Sequence, residues 1–195
     1  MTAEPISDLS AAGFWVPDPV KQRAAGYTIE DILRLPDDVP RVELTDGVLS
    51  VVPSHSGAHQ KINGRLIAWL DQHLPESLEA LFAVGVAVGH RNTLEPDGLI
   101  LHAPVDLEHH FYEPDQVVVA IEIVSPGTKR RDRLEKPAVY ASVGIPHYWR
   151  IEQNPVHIYA YDLVGGRYEL VADADEELVL TAPYELRLPI REITP

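Results

Sequence analysis

Residues 114–151 read PDQVVVAIEIVSPGTKRRDRLEKPAVYASVGIPHYWRI, and the opening run decides the fold. Val117 to Val124 is almost entirely β-branched and apolar, broken by a single acid, Glu122. Such a run predicts a strand covered on both faces, because a half-exposed strand would alternate with polar residues. A carboxylate inside it must be paired, protonated or bound to a metal, since an isolated buried charge is too costly. Ser125-Pro126-Gly127 then signals a turn. Beyond Thr128, the eight residues KRRDRLEK set Lys129, Arg130, Arg131, Arg133 and Lys136 against Asp132 and Glu135. An acid on a buried strand followed by a cationic turn and helix points to an anionic substrate held through a metal.

Downstream, Leu134, Ala138, Val139, Tyr140 and Ala141 predict the apolar face of a helix ended by Gly144 and Pro146. His147 to Glu152 reads as a strand. The tail reads as a meander: 156–163, a Gly165-Gly166 turn, 167–172, an acidic turn at 173–177, then strands at 178–181 and 185–190. Upstream, Leu81 to Val88 reads as one strand weakened by Gly85, and Glu95 to Leu101 as a short strand entered by Asp97. Residues 102–116 form a polar connection, in which His109-His110 has no defined ligand geometry.

Further upstream, Ile62, Leu66, Ile67, Trp69 and Leu70 recur at helical spacing over residues 57–74. Lys61 and Arg65 share another face and read as solvated charges, and His59 as a hydrogen-bonding surface histidine. Residues 41–52, RVELTDGVLSVV, alternate around Asp46-Gly47, a pair that accepts the positive φ angles of a tight hairpin turn. Thr28 reads as the N-cap of a short helix with Glu30 and Asp31 in its first turn, stopping before Pro36. Residues 1–26 lack periodicity and read as an arm, pinned by Phe14, Trp15 and Val16. The expected organisation is that arm followed by one domain over 27–195. Its fold is α/β (α+β mixed), a central mixed β-sheet flanked by helices and extended by antiparallel strands at the C-terminal end.

The chain has 195 residues, 45% of them hydrophobic and 24% charged, as in ordinary globular domains. With no cysteine, disulfides and thiolate metal sites are excluded. No apolar stretch approaches the roughly 18 residues of a membrane span. Glu4, Asp8 and the missing apolar core segment argue against a secretory signal, so no membrane partner and a cytoplasmic location are expected. The net charge of −14 repels a polyanion at long range, so a nucleic-acid partner has to be met by a local basic patch.

If the strands of Asp97 and Glu122 are neighbours, about 4.8 Å apart, their carboxylates can share one hard cation. Magnesium suits such an oxygen-rich site, and manganese can substitute for it. Lys136 is then the candidate to orient water and offset developing negative charge. Glu43, on the first hairpin strand, could join as a further ligand or acceptor. The serine-hydrolase elbow, the phosphate-binding loop, the dinucleotide fingerprint and the HExxH zinc motif do not occur in the sequence.

Pro96-Asp97, Glu122-Ile-Val-Ser125-Pro, Asp132…Lys136…Tyr140 and Gly144-Ile-Pro-His-Tyr-Trp149 resemble the bacterial family called Uma-two, which is restriction-endonuclease-like. Glu43-Leu-Thr-Asp46-Gly47 and Pro53…His59 fit its N-terminal part, so the resemblance runs from about Tyr27 to the C-terminus. The family is similar to the PD-(D/E)XK nucleases, which hydrolyse phosphodiesters with magnesium held by an aspartate and a glutamate. The resemblance implies a metal site at Asp97 and Glu122, with Glu43 contributing. The implied substrate is DNA, its backbone met by Lys129, Arg130, Arg131 and Arg133, and a homodimer would suit a cutter of two strands. In most of that superfamily a lysine stands two residues after the strand acid. Here Val124 stands there, so the role would move to Lys136, directly before Pro137. Two other readings stay open: a catalytically inactive, dimeric binding or scaffold module of the same fold, and hydrolysis of a phosphodiester other than DNA.

Overall fold

The computed structural model describes residues 15–36, 38–52, 54–127 and 129–195. Phe14 and most of the expected arm lie outside them, as do Pro53 and Thr128. Within the expected arm, Pro19–Ala24 forms helix α1, capped by the Asp18 carboxylate, which accepts from Val20 N at 2.7 Å.

The chain divides into two compact units. The smaller one, ending at Ser54 and taking in Ala87–Leu94, holds α1, α2 (Ile29–Ile32), β1 (Val42–Thr45), β2 (Val48–Val51) and β5 (Thr93–Leu94). Thr28 caps α2 in a reciprocal box with Asp31. Asp46 and Gly47 take φ of 51° and 80°, the positive values the hairpin needs, and β1 pairs antiparallel with β2. Trp15, Tyr27, Val42, Leu44 and Leu49 form this unit's core, while Val16 is exposed.

The larger unit holds α3 (Gly57–His73), β3 (Leu78–Leu81), β6 (Gly98–His102), β7 (Phe111–Tyr112), β8 (Val117–Ile123), α4 (Lys136–Ser142), β9 (His147–Gln153), β10 (Val156–Val164), β11 (Arg167–Ala174), β12 (Glu177–Leu180), β13 (Leu186–Pro189) and α5 (Ile190–Ile193). Its sheet has six strands in the order β11-β10-β9-β8-β6-β3. β8 and β9 run parallel, joined through α4, and the other pairs are antiparallel. This is the mixed α/β sheet expected, extended by antiparallel C-terminal strands. Every residue of β8 is buried. Val119, Ile121 and Ile123 pack with Ile62, Leu66, Ile67 and Leu70 of α3, while the alternate position, Glu122, meets α4. Among the described residues no helix is long and apolar enough to cross a membrane.

Two local expectations are corrected. Residues 81–88 are not one strand. β3 ends at Leu81, Phe82 is exposed, and Ala83 takes φ of 59°, a left-handed conformation incompatible with a continuing strand. The chain resumes at β4 (Gly85–Ala87), where Gly85 and Val86 pair with β7. The second correction concerns the segment after Gly127. Leu134 is 66% exposed, and Asp132 and Lys136 are buried beside the expected Tyr140. The inward stripe is polar because the strand beneath it carries Glu122.

Candidate active site

Pro137 shapes the approach to the site. A proline five residues into an α-helix would lack its amide donor and clash with the carbonyl four residues back. Residues Arg131–Glu135 instead form a wide π-type turn, in which the Lys136 amide donates to the Arg131 carbonyl, and α4 begins at Lys136. Lys136 thereby points inward, and only 7% of its side chain is exposed. Its ammonium donates to Glu122 Oε2 at 2.8 Å, lies 2.7 Å from Oε1, and donates to the Glu95 carbonyl at 2.9 Å. The Tyr140 hydroxyl donates to Glu122 Oε1 at 2.6 Å. Both oxygens of the strand acid are therefore held from α4.

Asp97 stands immediately before β6, beside β8. Its Oδ2 accepts from the Ile123 amide at 2.7 Å, and its own carbonyl accepts from Asn63 Nδ2 of α3 at 2.9 Å. His59 Nε2 lies 3.1 Å from Asp97 Oδ2, and His55 Nε2 lies 3.7 Å from Oδ1. The two imidazoles stack with centroids 4.0 Å apart. One donor atom from each of His55, His59 and Asp97 falls within 4.8 Å of the others, a grouping that does not include Glu122. His59 is fully buried, yet neither ring nitrogen makes a well-formed hydrogen bond. Buried polar atoms without such partners are rare, and a bound cation would satisfy the His59 nitrogen that faces Asp97. The donor set of two imidazoles and a carboxylate thus fits a divalent metal.

The two acids feel one another and share a cation. Burial pushes the Glu122 carboxyl up to about 8; Lys136 pulls against that shift, and the charges of Asp97 and Asp132 add to it. Burial also opposes the Asp97 anion, but His59, Lys136 and the Ile123 amide outweigh it and hold the carboxyl below its usual range. Asp132, buried on the same helical stripe, has a carbonyl that accepts from the Tyr148 hydroxyl.

Asp97, Glu122 and Lys136 are therefore brought together. Glu43 lies buried on β1 of the smaller unit, across from Ser50. Lys129 and Arg130 are exposed, with Arg130 3.2 Å from Glu135, while Arg133 pairs with Glu152 at 2.9 Å. Arg131 is half-buried at the start of the π-type turn. Sequence reasoning missed His55 and misplaced His59, which is not a surface residue. A signal existed: His59, Ile62, Asn63 and Leu66 stand at i, i+3, i+4 and i+7, so His59 belongs to the buried stripe of α3.

No curated protein matches the sequence. Among solved structures, one described as a "putative nuclease belonging to DUF820", from Anabaena variabilis, is 18% identical with a TM-score of 0.66, covering 85% of this chain and 96% of that one. NucC of P. aeruginosa, in a cAAA-bound form, is 14% identical over 63% of this chain and 86% of that one, with a TM-score of 0.37. The first likeness establishes a shared fold and the second is too slight to bear on it. The family model described as "Uma2: Putative restriction endonuclease" matches residues 29–191, a span that carries Asp97, Glu122 and Lys136 with both histidines beside them. The chain belongs to the Uma2 family.

Proposed function

We propose that the protein is a divalent-metal-dependent endonuclease acting on DNA, with Asp97 and Glu122 as its acids and Lys136 as the charge beside them. The observation that supports this most directly is the junction of three features in one place: a cation-ready His55–His59–Asp97 group, a buried Glu122, and a lysine contacting that acid. Asp97, His55 and His59 would hold the metal, with Glu122 as the second carboxylate of the site. A set that mixes nitrogen with oxygen donors favours manganese over magnesium, which demands oxygen ligands more strictly. When bound, such an ion polarises a phosphoryl oxygen and lowers the pKa of nearby water.

The chain's own contribution is positional and electrostatic. Lys136 places a positive charge against the developing negative charge of a hydrolysed phosphodiester, in which water adds at phosphorus and one P–O ester bond breaks. Tyr140 and Lys136 fix the rotamer of Glu122, and the π-type turn fixes Lys136. Lys129 to Arg133 would contact the backbone of the DNA. A homodimer belongs to the same proposal, as the form that would serve both strands.

The test is cleavage of plasmid and linear DNA with manganese or magnesium, comparing wild type with Asp97→Asn and Glu122→Gln. Metal-dependent cutting by wild type, reduced at least about 100-fold in both variants, is expected for removal of a charge from such a site. Equal activity in all three proteins would remove the proposal.

A further inference from the structure

The face of the sheet that carries Glu122 does not end at the site. In register, Glu122 on β8 stands beside Arg150 on β9, and Arg150 is directly across from Tyr159 on β10. One row over, Ala120, Tyr148 and Tyr161 follow each other across the same three strands. Partners at the same register point to the same face, so a track of tyrosines and arginines leads away from the buried acid. With strands about 4.8 Å apart, Tyr159 lies roughly 10 Å from Glu122 along that row.

The track opens into a groove. A cavity of about 360 Å³ is lined by Arg133, Arg150 and Arg167 together with Tyr148, Tyr161 and Tyr168. The Arg150 guanidinium sits over the Tyr159 ring at 4.3 Å and the Tyr161 ring at 5.7 Å. Tyr148 packs against Tyr161 and Tyr168 with centroids 5.8 and 5.6 Å apart, and against Tyr140 at 6.0 Å. Tyr140 is the residue that holds Glu122. Glu152, paired with Arg133 and near Arg150, is the acid that lines the adjoining pocket. Arg133, Arg150 and Arg167 gather three cations at one place on a chain of net charge −14, with Glu122, Asp132, Glu152 and Asp173 acting on the same tyrosines.

We infer that this groove binds single-stranded nucleic acid, one base packing on the tyrosine cluster and its phosphate meeting Arg133 and Arg167. Aromatic rings interleaved with arginines are what a strand with unpaired bases requires, because every base has a π-face and every linkage a charge. An all-basic patch would take any polyanion. An apolar cleft would take none. The choice of a nucleic acid as occupant rests on the nuclease reading, and the groove extends that reading by giving one strand a path from the acid site.

The experiment measures anisotropy of a fluorescein-labelled oligothymidylate in EDTA, so that binding is read without cleavage. The expected result is tighter binding of the single strand than of a blunt duplex of equal length. Thymidine monophosphate should compete better than inorganic phosphate. Arg133→Ala combined with Arg167→Ala, and separately Tyr161→Leu, should each weaken binding about tenfold, with thermal melts confirming that the variants fold. Variants binding as tightly as wild type would overturn the inference, and so would inorganic phosphate competing as well as the nucleotide. Either result leaves metal-dependent cleavage by wild type standing. An oligonucleotide held by the groove in a protein that cuts no DNA would retire the nuclease reading and keep the groove.

Discussion

Asp97 and Glu122 stand on neighbouring parts of one sheet, both buried, and their surroundings hold them in opposite charge states. Asp97 keeps its negative charge because a backbone amide, His59 and the field of Lys136 outweigh the cost of burial. Glu122 is driven toward the neutral form because burial is complete, and because Asp97 and Asp132 add repulsion that Lys136 does not cancel. The difference teaches how two neighbouring buried acids can be given different charges by what surrounds each of them. One acid serves as the fixed anion. The other keeps a proton within reach of neutral pH, and the lysine sits between two demands. The two ends also differ in donor chemistry: imidazole nitrogens gather at Asp97, while an ammonium and a phenol gather at Glu122.

The harshest way to break that comparison is to remove the fixed anion. Asp97→Asn leaves His55 and His59 without their carboxylate, so manganese affinity should fall about 100-fold or more, as loss of a direct ligand exceeds the effect of outer-shell changes. Glu122→Gln should weaken manganese less, because the two imidazoles and Asp97 remain. Isothermal calorimetry reads both. If the two substitutions weaken the metal equally, the histidine end is not the principal anchor.

Lys136→Met attacks the other end. Breaking a buried pair by deleting one partner costs roughly 3–5 kcal/mol when the remaining charge cannot be neutralised. Here it can be, since Glu122 is already pushed up to about 8 and rises further without its cation. The variant's deficit against wild type should therefore be larger at pH 9 than at pH 6, by roughly 1 kcal/mol, in urea melts at each pH. A deficit that does not change with pH would show that Glu122 does not change charge between those two values.

These two ends were unequally legible in the sequence. The buried run of β8 and the lone acid within it were plain, because an unbroken apolar run fixes burial on both faces and makes any charge conspicuous. Asp97 was legible as an acid at a strand entry. Lys136 was legible as a candidate, while its aim was not, since Pro137 forbids an ordinary helix there and the π-type turn that resolves the conflict leaves no pattern of its own. Of the inward stripe of Asp132, Lys136 and Tyr140, the apolar pattern finds only Tyr140. Counting apolar residues finds the face that meets an apolar partner, and this helix meets a carboxylate. The groove was invisible for another reason: Arg133, Arg150 and Arg167 come from the π-type turn, β9 and β11, and only the folded sheet brings them to the tyrosines of β9, β10 and β11.

The charge contrast also has a signature in the metal-free wild type. A carboxyl raised from about 4.5 to about 8 on folding binds more protons in the folded state than in the unfolded state between those values. Stability therefore falls as pH rises through that window, by a few kcal/mol at most, and levels off above it. Repulsion among the many surface acids has the same sign, so the informative quantity is the difference between proteins. Glu122→Gln should be less stable overall but should lack the part of the slope due to Glu122, in thermal melts from pH 5 to pH 9. Parallel curves for the two proteins would contradict the assignment of a raised carboxyl.

The finest probe is Tyr140→Phe, which removes one hydroxyl and little volume. That hydroxyl donates to Glu122 Oε1 at 2.6 Å. A hydrogen bond to a neutral acceptor contributes about 1 kcal/mol, and one to a charged acceptor about 1.5–3 kcal/mol. The cost of the substitution is thus a reading of the charge on Glu122. At pH 6, with the acid protonated, the loss should be near the lower figure; at pH 9, with the anion exposed to Lys136 alone, it should approach the higher one. Because the hydroxyl favours the anion, its removal also raises the Glu122 carboxyl further and moves the pH at which stability levels off upward. Equal losses at the two pH values, with no movement of that point, would mean that the acid does not change charge across neutrality and that Asp97 and Glu122 are alike after all.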